Sequence, residues 1–299
     1  MYEKFYGLKE RPFSLLPDGN SVFPSKRHRR AMTLLEYGVV SQAGFVVITG
    51  EVGAGKTTIV RHFLKGVGPD VTVGVVTNPS ESIGRLFDWI AFAFDIKEQG
   101  KDDTTLYNAI VEFLLAQYAR RKRTILIVDE AQNLTTKMLE DIRMLSNINN
   151  EQDMLLQIVL VGQPELLDML NKPELRQFVQ RITVHCHLDP LSPAETAAYI
   201  RYRLEHVGGS ADIFDDMASA AVYHFTDGVP RLINLLCDQA LVYGFSEDLP
   251  HISLEIVAEV AIDRGSFGLS AFRNVPKTLD VAKLKDDLKP VYEAIHTEA

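Results

Sequence analysis

The sequence predicts an α/β fold in which a parallel sheet with helices on both faces is followed by an all-helical second domain. From about residue 45 to 188, apolar strand-like runs alternate with helical patterns, which is the element order of a parallel sheet. At Asp189-Pro190-Leu191-Ser192-Pro193 the pattern changes, and the chain that follows is predicted to be helical up to about residue 265.

Five strands and nine helices follow from this pattern. The run 124–128 is continuously apolar and is therefore expected as a central strand buried on both faces. The strands are expected at 45–49, 71–77, 124–128, 155–161 and 182–188, with helices near 56–66, 82–95, 104–122, 135–148 and 164–178 between them. The second domain is expected as four helices at 194–206, 215–225, 230–245 and 253–264.

The two ends of the chain are less regular. Residues 1–24 carry five aromatic side chains and are expected to pack on the α/β core as an ordered segment. Residues 266–299 contain Gly, Ser and Pro breaks before a polar helix expected near 280–295. The predicted domains are therefore 1–24, 25–190, 191–265 and 266–299.

Composition limits the class of protein. With 46% apolar and 24% charged residues, the 299-residue chain has the composition of an ordinary globular protein, and no apolar run reaches membrane-span length. The N-terminus does not resemble a signal peptide, and two cysteines, Cys186 and Cys237, cannot form a disulfide framework. These features predict a cytoplasmic location.

The charge distribution leaves a nucleic-acid role open. A net charge of −9 argues against a general nucleic-acid binder, but residues 26–30 and 120–123 form two basic patches. The first opens a predicted helix after Ser25. The second ends a predicted helix, where cations complement the helix dipole. Both patches therefore have a structural explanation, with contact to DNA or RNA as the alternative.

Residues 50–58, G-E-V-G-A-G-K-T-T, match the phosphate-loop pattern between a predicted strand and a predicted helix. Backbone N–H groups of such a loop point at phosphate oxygens, and the helix adds its positive N-terminal end. Lys56 is expected to reach the β- and γ-phosphates, and the Thr57 hydroxyl to bind Mg²⁺. The predicted nucleotide-binding residues of the loop are Glu51, Val52, Gly53, Ala54, Gly55, Lys56, Thr57 and Thr58.

Polar residues after two other strands complete this predicted site. Asp129 ends the central strand, where its carboxylate can hold Mg²⁺, and Glu130 is placed to polarise the attacking water as a general base. Gln163 follows another strand and is either a sensor of the γ-phosphate or an ordinary strand-end residue. The prediction is a Mg²⁺-dependent hydrolase of a nucleoside triphosphate.

Three arginines are candidates for neutralising charge in the transition state. Arg176 and Arg181 precede the last predicted strand, and Arg231 opens a helix of the second domain. The alternative interpretation of each is an ordinary arginine on the protein surface.

Two further patterns resemble known sites. Residues 171–174, N-K-P-E, resemble a guanine-reading motif, but they end in Glu and lie in a predicted loop, so GTP specificity is not expected. His185 and His187 are expected to share one face of a strand while Cys186 points to the other, so a metal site is not expected there.

Six motifs together resemble the ExeA/GspA-like AAA+ ATPases of bacteria, which include ATPases of secretion, pilus and exopolysaccharide-export systems. The motifs cover residues 5–14, 50–58, 127–134, 161–166, 188–196 and 228–234, and the resemblance extends over about residues 1–265. The motifs most specific to this family are V-D-E-A-Q and G-Q-P-E-L. The chain is also similar, more distantly, to the TnsC/MuB-type ATPases of DNA transposition.

The resemblance implies a AAA+ module, in which an αβα ATPase domain binds ATP and Mg²⁺ and is followed by a helical lid. Arg231 matches the lid arginine that reaches the nucleotide, and Arg176 or Arg181 matches the arginine finger that acts on a neighbouring subunit. Phe13 and His28 match the part that flanks the adenine. The protein is then expected to form a homo-oligomer, as a ring or a filament.

The resemblance leaves three functions to compare. The first is an ATPase that drives or switches assembly of an envelope apparatus by acting on a client protein. The second is an ATP-dependent transposition regulator that forms oligomers on duplex DNA. The third is a scaffold that binds ATP without turnover, against which the intact Lys56, Thr57, Asp129 and Glu130 argue. GspA-type proteins continue into a membrane span and a peptidoglycan-binding domain, which the 299 residues lack, so direct cell-wall binding is not expected of them.

Overall fold

The computed structural model describes residues 1–15, 23–80, 82, 84–97, 102–150, 153–266 and 271–297. The chain forms two compact units. The sheet unit comprises Lys26–Val52 and Lys56–Leu188, and the helical unit comprises Met1–Ser25, Gly53–Gly55 and Asp189–Ala299.

The sheet unit contains a parallel sheet of five strands, as the sequence predicts. The strands are β1 (Phe45–Gly50), β2 (Val71–Thr77), β3 (Arg123–Asp129), β6 (Gln157–Gly162) and β7 (Ile182–Leu188), in the order β2-β3-β6-β1-β7. Strands β1 and β6 are buried along their whole length, and β3 is buried after its first residue. The interiors of such strands are nearly continuous apolar runs, which is why the sequence identified them. A short antiparallel pair, β4 (Asn149–Asn150) and β5 (Asp153–Met154), precedes β6.

Helices flank this sheet. They are α1 (Lys26–Val40), α2 (Lys56–Gly66), α3 (Leu86–Ala93), α4 (Asp103–Ala119), α5 (Thr136–Leu145), α6 (Glu165–Leu170) and α7 (Arg176–Val179). The expected helix at 164–178 is interrupted, because a 3₁₀ turn at Pro173–Leu175 separates α6 from α7. Proline has no N–H to continue an α-helix. Helix α3 begins later than expected, and residues 81 and 83 lie outside the described residues.

The helical unit contains five described helices, one more than the predicted second domain. They are α8 (Pro193–His206), α9 (Asp216–Thr226), α10 (Pro230–Ser246), α11 (Leu254–Ser266) and α12 (Val281–Thr297). The Ser192 side chain and Glu195 form a capping box at the start of α8. Helix α12 is the polar helix predicted near the end of the chain, and it packs against α8 and α9. Residues 267–270 and 298–299 lie outside the described residues.

The N-terminal segment packs within the helical unit, which corrects the expectation that it packs on the α/β core. The Tyr6 hydroxyl donates to the carbonyl of Leu249 at 3.0 Å, and the Phe13 ring packs edge-on against Phe214. Both aromatic residues belong to the hydrophobic core to which α8 to α12 contribute. The aromatic composition correctly indicated burial, but it carried no information about which surface receives these side chains. Residues 16–22 lie outside the described residues.

Within the ranges that the structure describes, no helix combines the length and apolar character needed to cross a membrane.

Candidate nucleotide site

The loop between β1 and α2 has the backbone that its glycines predict. Strand β1 ends at Gly50, and α2 begins at Lys56. Gly53 and Gly55 have φ angles of 81° and 99°, in the left-handed region that residues with a side chain rarely adopt. The start of α2 presents the free N–H groups and positive dipole end that suit an anion.

The Lys56 side chain is buried at the base of this loop. It is 6% exposed, and its Nζ donates to the carbonyl oxygens of Gly50 at 2.7 Å and Glu51 at 3.0 Å. Burial lowers the pKa of Lys56, although the charges of Glu130 and Asp129 act in the opposite direction. The loop carbonyls hold the ammonium group in place, and phosphate oxygens are acceptors of the same kind.

Thr57 and Asp129 are joined by a hydrogen bond. The Thr57 hydroxyl donates to Oδ2 of Asp129 at 3.0 Å, and the backbone N–H of Glu130 donates to Oδ1 at 3.0 Å. Asp129 is 6% exposed, and this burial raises its pKa despite both hydrogen bonds. A hydroxyl and a carboxylate are the hard oxygen ligands that Mg²⁺ prefers. The pair therefore fits the metal that the sequence predicts.

Glu130 is held by two side-chain amides. Its backbone is left-handed, with φ 57°, and its Oε2 accepts from Gln132 Nε2 at 2.6 Å and from Gln163 Nε2 at 3.2 Å. Burial alone would raise the pKa of Glu130, but these two hydrogen bonds and the charge of Lys56 lower it overall. Oε1 has no hydrogen bond to the described part of the chain. One oxygen is therefore fixed, while the other is free to accept a proton.

Gln132 was missed by the reasoning from the sequence. Its Oε1 accepts from the backbone N–H of Gln163 at 3.0 Å, so it connects the end of β3 to the end of β6. Gln163 contacts Glu130, which places it at the predicted site. The V-D-E-A-Q motif contains Gln132, but no pattern in the sequence connects it with a residue 31 positions away.

The three candidate arginines lie in different surroundings. Arg176 opens α7 and is exposed, and its side chain makes no hydrogen bond or ion pair with any described residue. Arg181 is half-buried, and its Nη1 donates to Oγ of Ser146 at 3.0 Å. Arg231 belongs to the helical unit, where its backbone N–H donates to the carbonyl of Gly53, a member of the same unit, at 3.2 Å.

The two predicted adenine contacts belong to different units. Phe13 is 1% exposed in the core of the helical unit, so contact with a base would require its neighbours to move. His28 lies near the start of α1 in the sheet unit and is 9% exposed. Both residues stay predicted adenine contacts.

The histidines of β7 share a face, as the alternation of a strand predicts. The Thr49 hydroxyl lies 3.2 Å from Nε2 of His185 and 2.9 Å from Nδ1 of His187. Cys186 alternates with them and is buried. Among the described residues there is no group of three or more His, Cys, Asp or Glu side chains that could hold a metal ion.

A family model for an AAA domain matches residues 39–170. General secretion pathway protein A of Aeromonas hydrophila is 41% identical over 250 residues, which make up 82% of this chain and 45% of that protein. The chain is a relative of the ExeA/GspA-like AAA+ ATPases. It spans less than half the length of the curated relative that it matches. The similarity to TnsC/MuB-type ATPases stays a prediction.

Solved structures share the fold of this AAA+ relative. Cdc6p from Pyrobaculum aerophilum superposes with a TM-score of 0.63 at 17% identity, over 94% of this chain and 83% of that chain. The ORC2 protein of Aeropyrum pernix, in ADPNP-ADP complexes, gives 0.61 at 17% identity over the same shares. Drosophila ORC bound to DNA gives 0.62 at 14% identity, over 97% and 77%. At these identities the likeness establishes the fold alone.

Proposed function

We propose that this chain binds Mg-ATP and hydrolyses it. The observation that carries the proposal is the Glu130 carboxylate, with one oxygen held by Gln132 and Gln163 and the other open. It lies next to Asp129, which is hydrogen-bonded to Thr57 of the phosphate loop. A general base, a metal-binding pair and a phosphate-binding loop are the parts that phosphoryl transfer to water requires.

Each residue of the site has a role that follows from the chemistry of its side chain. The N–H groups of the loop and the Lys56 ammonium bind phosphate oxygens, and Thr57 and Asp129 would hold Mg²⁺. When bound, that ion neutralises charge on the phosphates. The two amide hydrogen bonds and the Lys56 charge lower the pKa of Glu130 and so favour its ionised form, in which Oε1 can accept a proton from water.

The proposal includes a site completed by a second copy of the chain. Arg176 has the freedom that an arginine finger needs, because its side chain is exposed and makes no hydrogen bond or ion pair with the residues that the structure describes. The Arg181 side chain instead donates a hydrogen bond to the Ser146 hydroxyl. We therefore assign the finger to Arg176, in a homo-oligomer whose form, ring or filament, is open. Arg231 stays a predicted nucleotide contact.

The cellular role is proposed from the relative named for the general secretion pathway. In this proposal, ATP hydrolysis in the cytoplasm drives or switches assembly of an envelope apparatus through a client protein. The alternative is an ATP-dependent regulator of transposition on duplex DNA. The net charge of −9 favours the first, and a salt-dependent gel shift with ATP separates the two.

The proposed chemistry is tested by measuring phosphate release from ATP by the purified chain at several protein concentrations. We expect turnover per subunit to rise with concentration, and Glu130→Gln to bind a fluorescent ATP analogue without releasing phosphate. Lys56→Ala should lose binding. A wild-type chain that neither binds the analogue nor releases phosphate contradicts hydrolysis, whereas turnover that stays constant on dilution contradicts only the shared site.

A further inference from the structure

A second cavity lies in the sheet unit, where the strands begin. It has a volume of about 480 Å³, within the roughly 300–1,000 Å³ of small-molecule sites. Arg123 and Thr124, the first residues of β3, and Gln157, the first residue of β6, line it. Asp129 ends β3, and six residue steps of about 3.3 Å put that end about 20 Å from Arg123. The cavity is therefore separate from the candidate nucleotide site.

Two buried polar side chains in the cavity wall lack partners. Thr124 is 2% exposed and Gln157 is 4% exposed. Nε2 of Gln157 donates to the carbonyl oxygens of Gly38 at 3.4 Å and Val39 at 3.1 Å, which fixes the orientation of its amide. Oε1 of Gln157 and Oγ1 of Thr124 then have no hydrogen-bond partner among the described residues.

These two orphan atoms need an explanation. A buried polar atom without a partner loses its hydrogen bond to water and gains none in return, and native proteins keep few such atoms. Oε1 of Gln157 can only accept a hydrogen bond, so its missing partner carries an N–H or O–H group. The Thr124 hydroxyl can serve either as donor or as acceptor.

The opening of the cavity is cationic. Arg121, Lys122 and Arg123 are consecutive exposed residues that line it, in a chain with a net charge of −9. Arg121 and Lys122 form no side-chain hydrogen bond or ion pair within the described ranges. Unpaired neighbouring cations attract a multiply charged anion such as phosphate.

The remaining wall is largely apolar and includes an aromatic ring. Tyr118, Ala119, Met154 and Leu155 line the cavity, and the Tyr118 side chain is half-buried. Aromatic and apolar walls receive planar heterocycles by stacking. The cavity thus combines exposed cations, a largely apolar wall with one aromatic ring, and a buried acceptor that lacks an N–H or O–H donor.

We propose that this cavity binds a nucleotide. Its phosphate lies against Arg121 and Lys122. An N–H group of its base donates to Oε1 of Gln157, and another polar group of the nucleotide pairs with the Thr124 hydroxyl. The same chemistry is offered by a free mononucleotide and by a nucleotide within a single strand of nucleic acid, and binding measurements distinguish the two.

Calorimetric titration of the full chain tests this, with the phosphate loop filled by Mg²⁺ and a non-hydrolysable ATP analogue. The probes are GMP, AMP and a short single-stranded oligonucleotide, titrated separately. Binding of a monophosphate identifies a free nucleotide, and binding of the oligonucleotide alone identifies a nucleic-acid strand. Failure of all three probes to bind at about 1 mM overturns the proposal.

Variants locate the binding. Thr124→Val and Arg121→Gln should each lower the affinity for the probe about tenfold, because each removes one hydrogen bond to a charged or buried group. Arg120→Gln is the matched control, because Arg120 belongs to the same basic patch but does not line the cavity. Melting of each free variant checks its fold, and Thr124→Val should melt no lower than wild type. Equal affinity in all the variants overturns the proposed site.

Discussion

The Gln132 side-chain amide donates a 2.6 Å hydrogen bond to Oε2 of Glu130. The carbonyl of the same amide accepts from the backbone N–H of Gln163 at 3.0 Å. Gln132 therefore fixes Glu130 relative to the ends of two parallel strands, β3 and β6. If Glu130 is the general base, Gln132 positions it without touching the reacting atoms.

Gln132→Ala should lower kcat for ATP hydrolysis about tenfold while leaving KM nearly unchanged. The variant removes one of two hydrogen bonds that orient the carboxylate, which matters in the transition state more than in nucleotide binding. Steady-state phosphate release measures both constants. Asn133→Ala is the matched control, because the neighbouring Asn133 is exposed and donates to Asn78 instead. An equal fall in both variants contradicts a positioning role for Gln132.

The pH dependence of kcat in Gln132→Ala should shift to higher pH relative to wild type. The hydrogen bonds from Gln132 and Gln163 favour the ionised form of Glu130 and help to lower its pKa. Removing one of them raises that pKa, so the acid limb of the kcat profile should shift to higher pH. Gln163→Ala should shift the limb in the same direction. A limb that stays in place in both variants would indicate that a group other than Glu130 titrates.

Asp129→Asn should stabilise the nucleotide-free chain while reducing hydrolysis by about 10²-fold or more. Burial raises the pKa of Asp129, so its folded-state pKa exceeds the unfolded value of about 3.9. The folded protein then binds the proton more tightly, and stability is lost as pH rises through that interval. The neutral amide does not suffer this loss, and the Thr57 hydroxyl can reverse its hydrogen bond to suit it.

Urea unfolding at several pH values measures this effect. We expect the free energy of unfolding of Asp129→Asn to exceed that of wild type at pH 7, with the difference shrinking as pH falls toward the ordinary aspartate pKa. Glu51→Gln is the control, because Glu51 is an exposed carboxylate of the same loop and should leave stability unchanged. A variant that is less stable than wild type at pH 7 contradicts the assignment of Asp129 as a costly buried charge.

Substitutions of Arg176 and Arg181 should have different effects on the protein. Arg176→Ala should lower turnover about 10³-fold without weakening nucleotide binding, as expected of an arginine finger. Arg181→Ala should instead lower stability by about 1 kcal/mol, because Ser146 loses a hydrogen bond. Phosphate release and thermal melting distinguish these effects.

Mixing variants tests whether Arg176 acts on a neighbouring copy. Arg176→Ala and Glu130→Gln each inactivate a different half of a shared site, so a mixture should regain part of the turnover that each lacks alone. No recovery at any mixing ratio, with both variants still forming oligomers, contradicts action between subunits.

The sequence was informative where one short segment contains the whole signal. Strand β3 was recognised because burial on both faces makes its interior an apolar run, and the phosphate loop was recognised because its glycines and Lys56 lie within one short segment. Contacts between distant segments could not be read in this way. The pairing of Gln132 with Gln163 depends on the parallel neighbours β3 and β6, and the burial of Phe13 depends on Phe214 in the helical unit.

The difference between Arg176 and Arg181 has the same origin. Both arginines precede β7 in one short segment, and only the position of Ser146 shows that Arg181 is already bonded. Spacing along the chain carries no such information, so the sequence left the two arginines equivalent.

Gly228→Ala should destabilise the helical unit strongly. Gly228 has a φ angle of 73°, and a Cβ atom there would lie 2.0 Å from the carbonyl oxygen of Leu191. That backbone cannot move freely, because the Leu191 N–H donates to the carbonyl of Gly228 at 2.9 Å. The strained φ and the clash together should cost about 3 kcal/mol or more. Gly66→Ala, at the end of α2 with no atom near its added Cβ, should instead be neutral or stabilising. Circular dichroism during urea unfolding compares the two variants, and equal midpoints would show that the Leu191 segment moves to accept the methyl group.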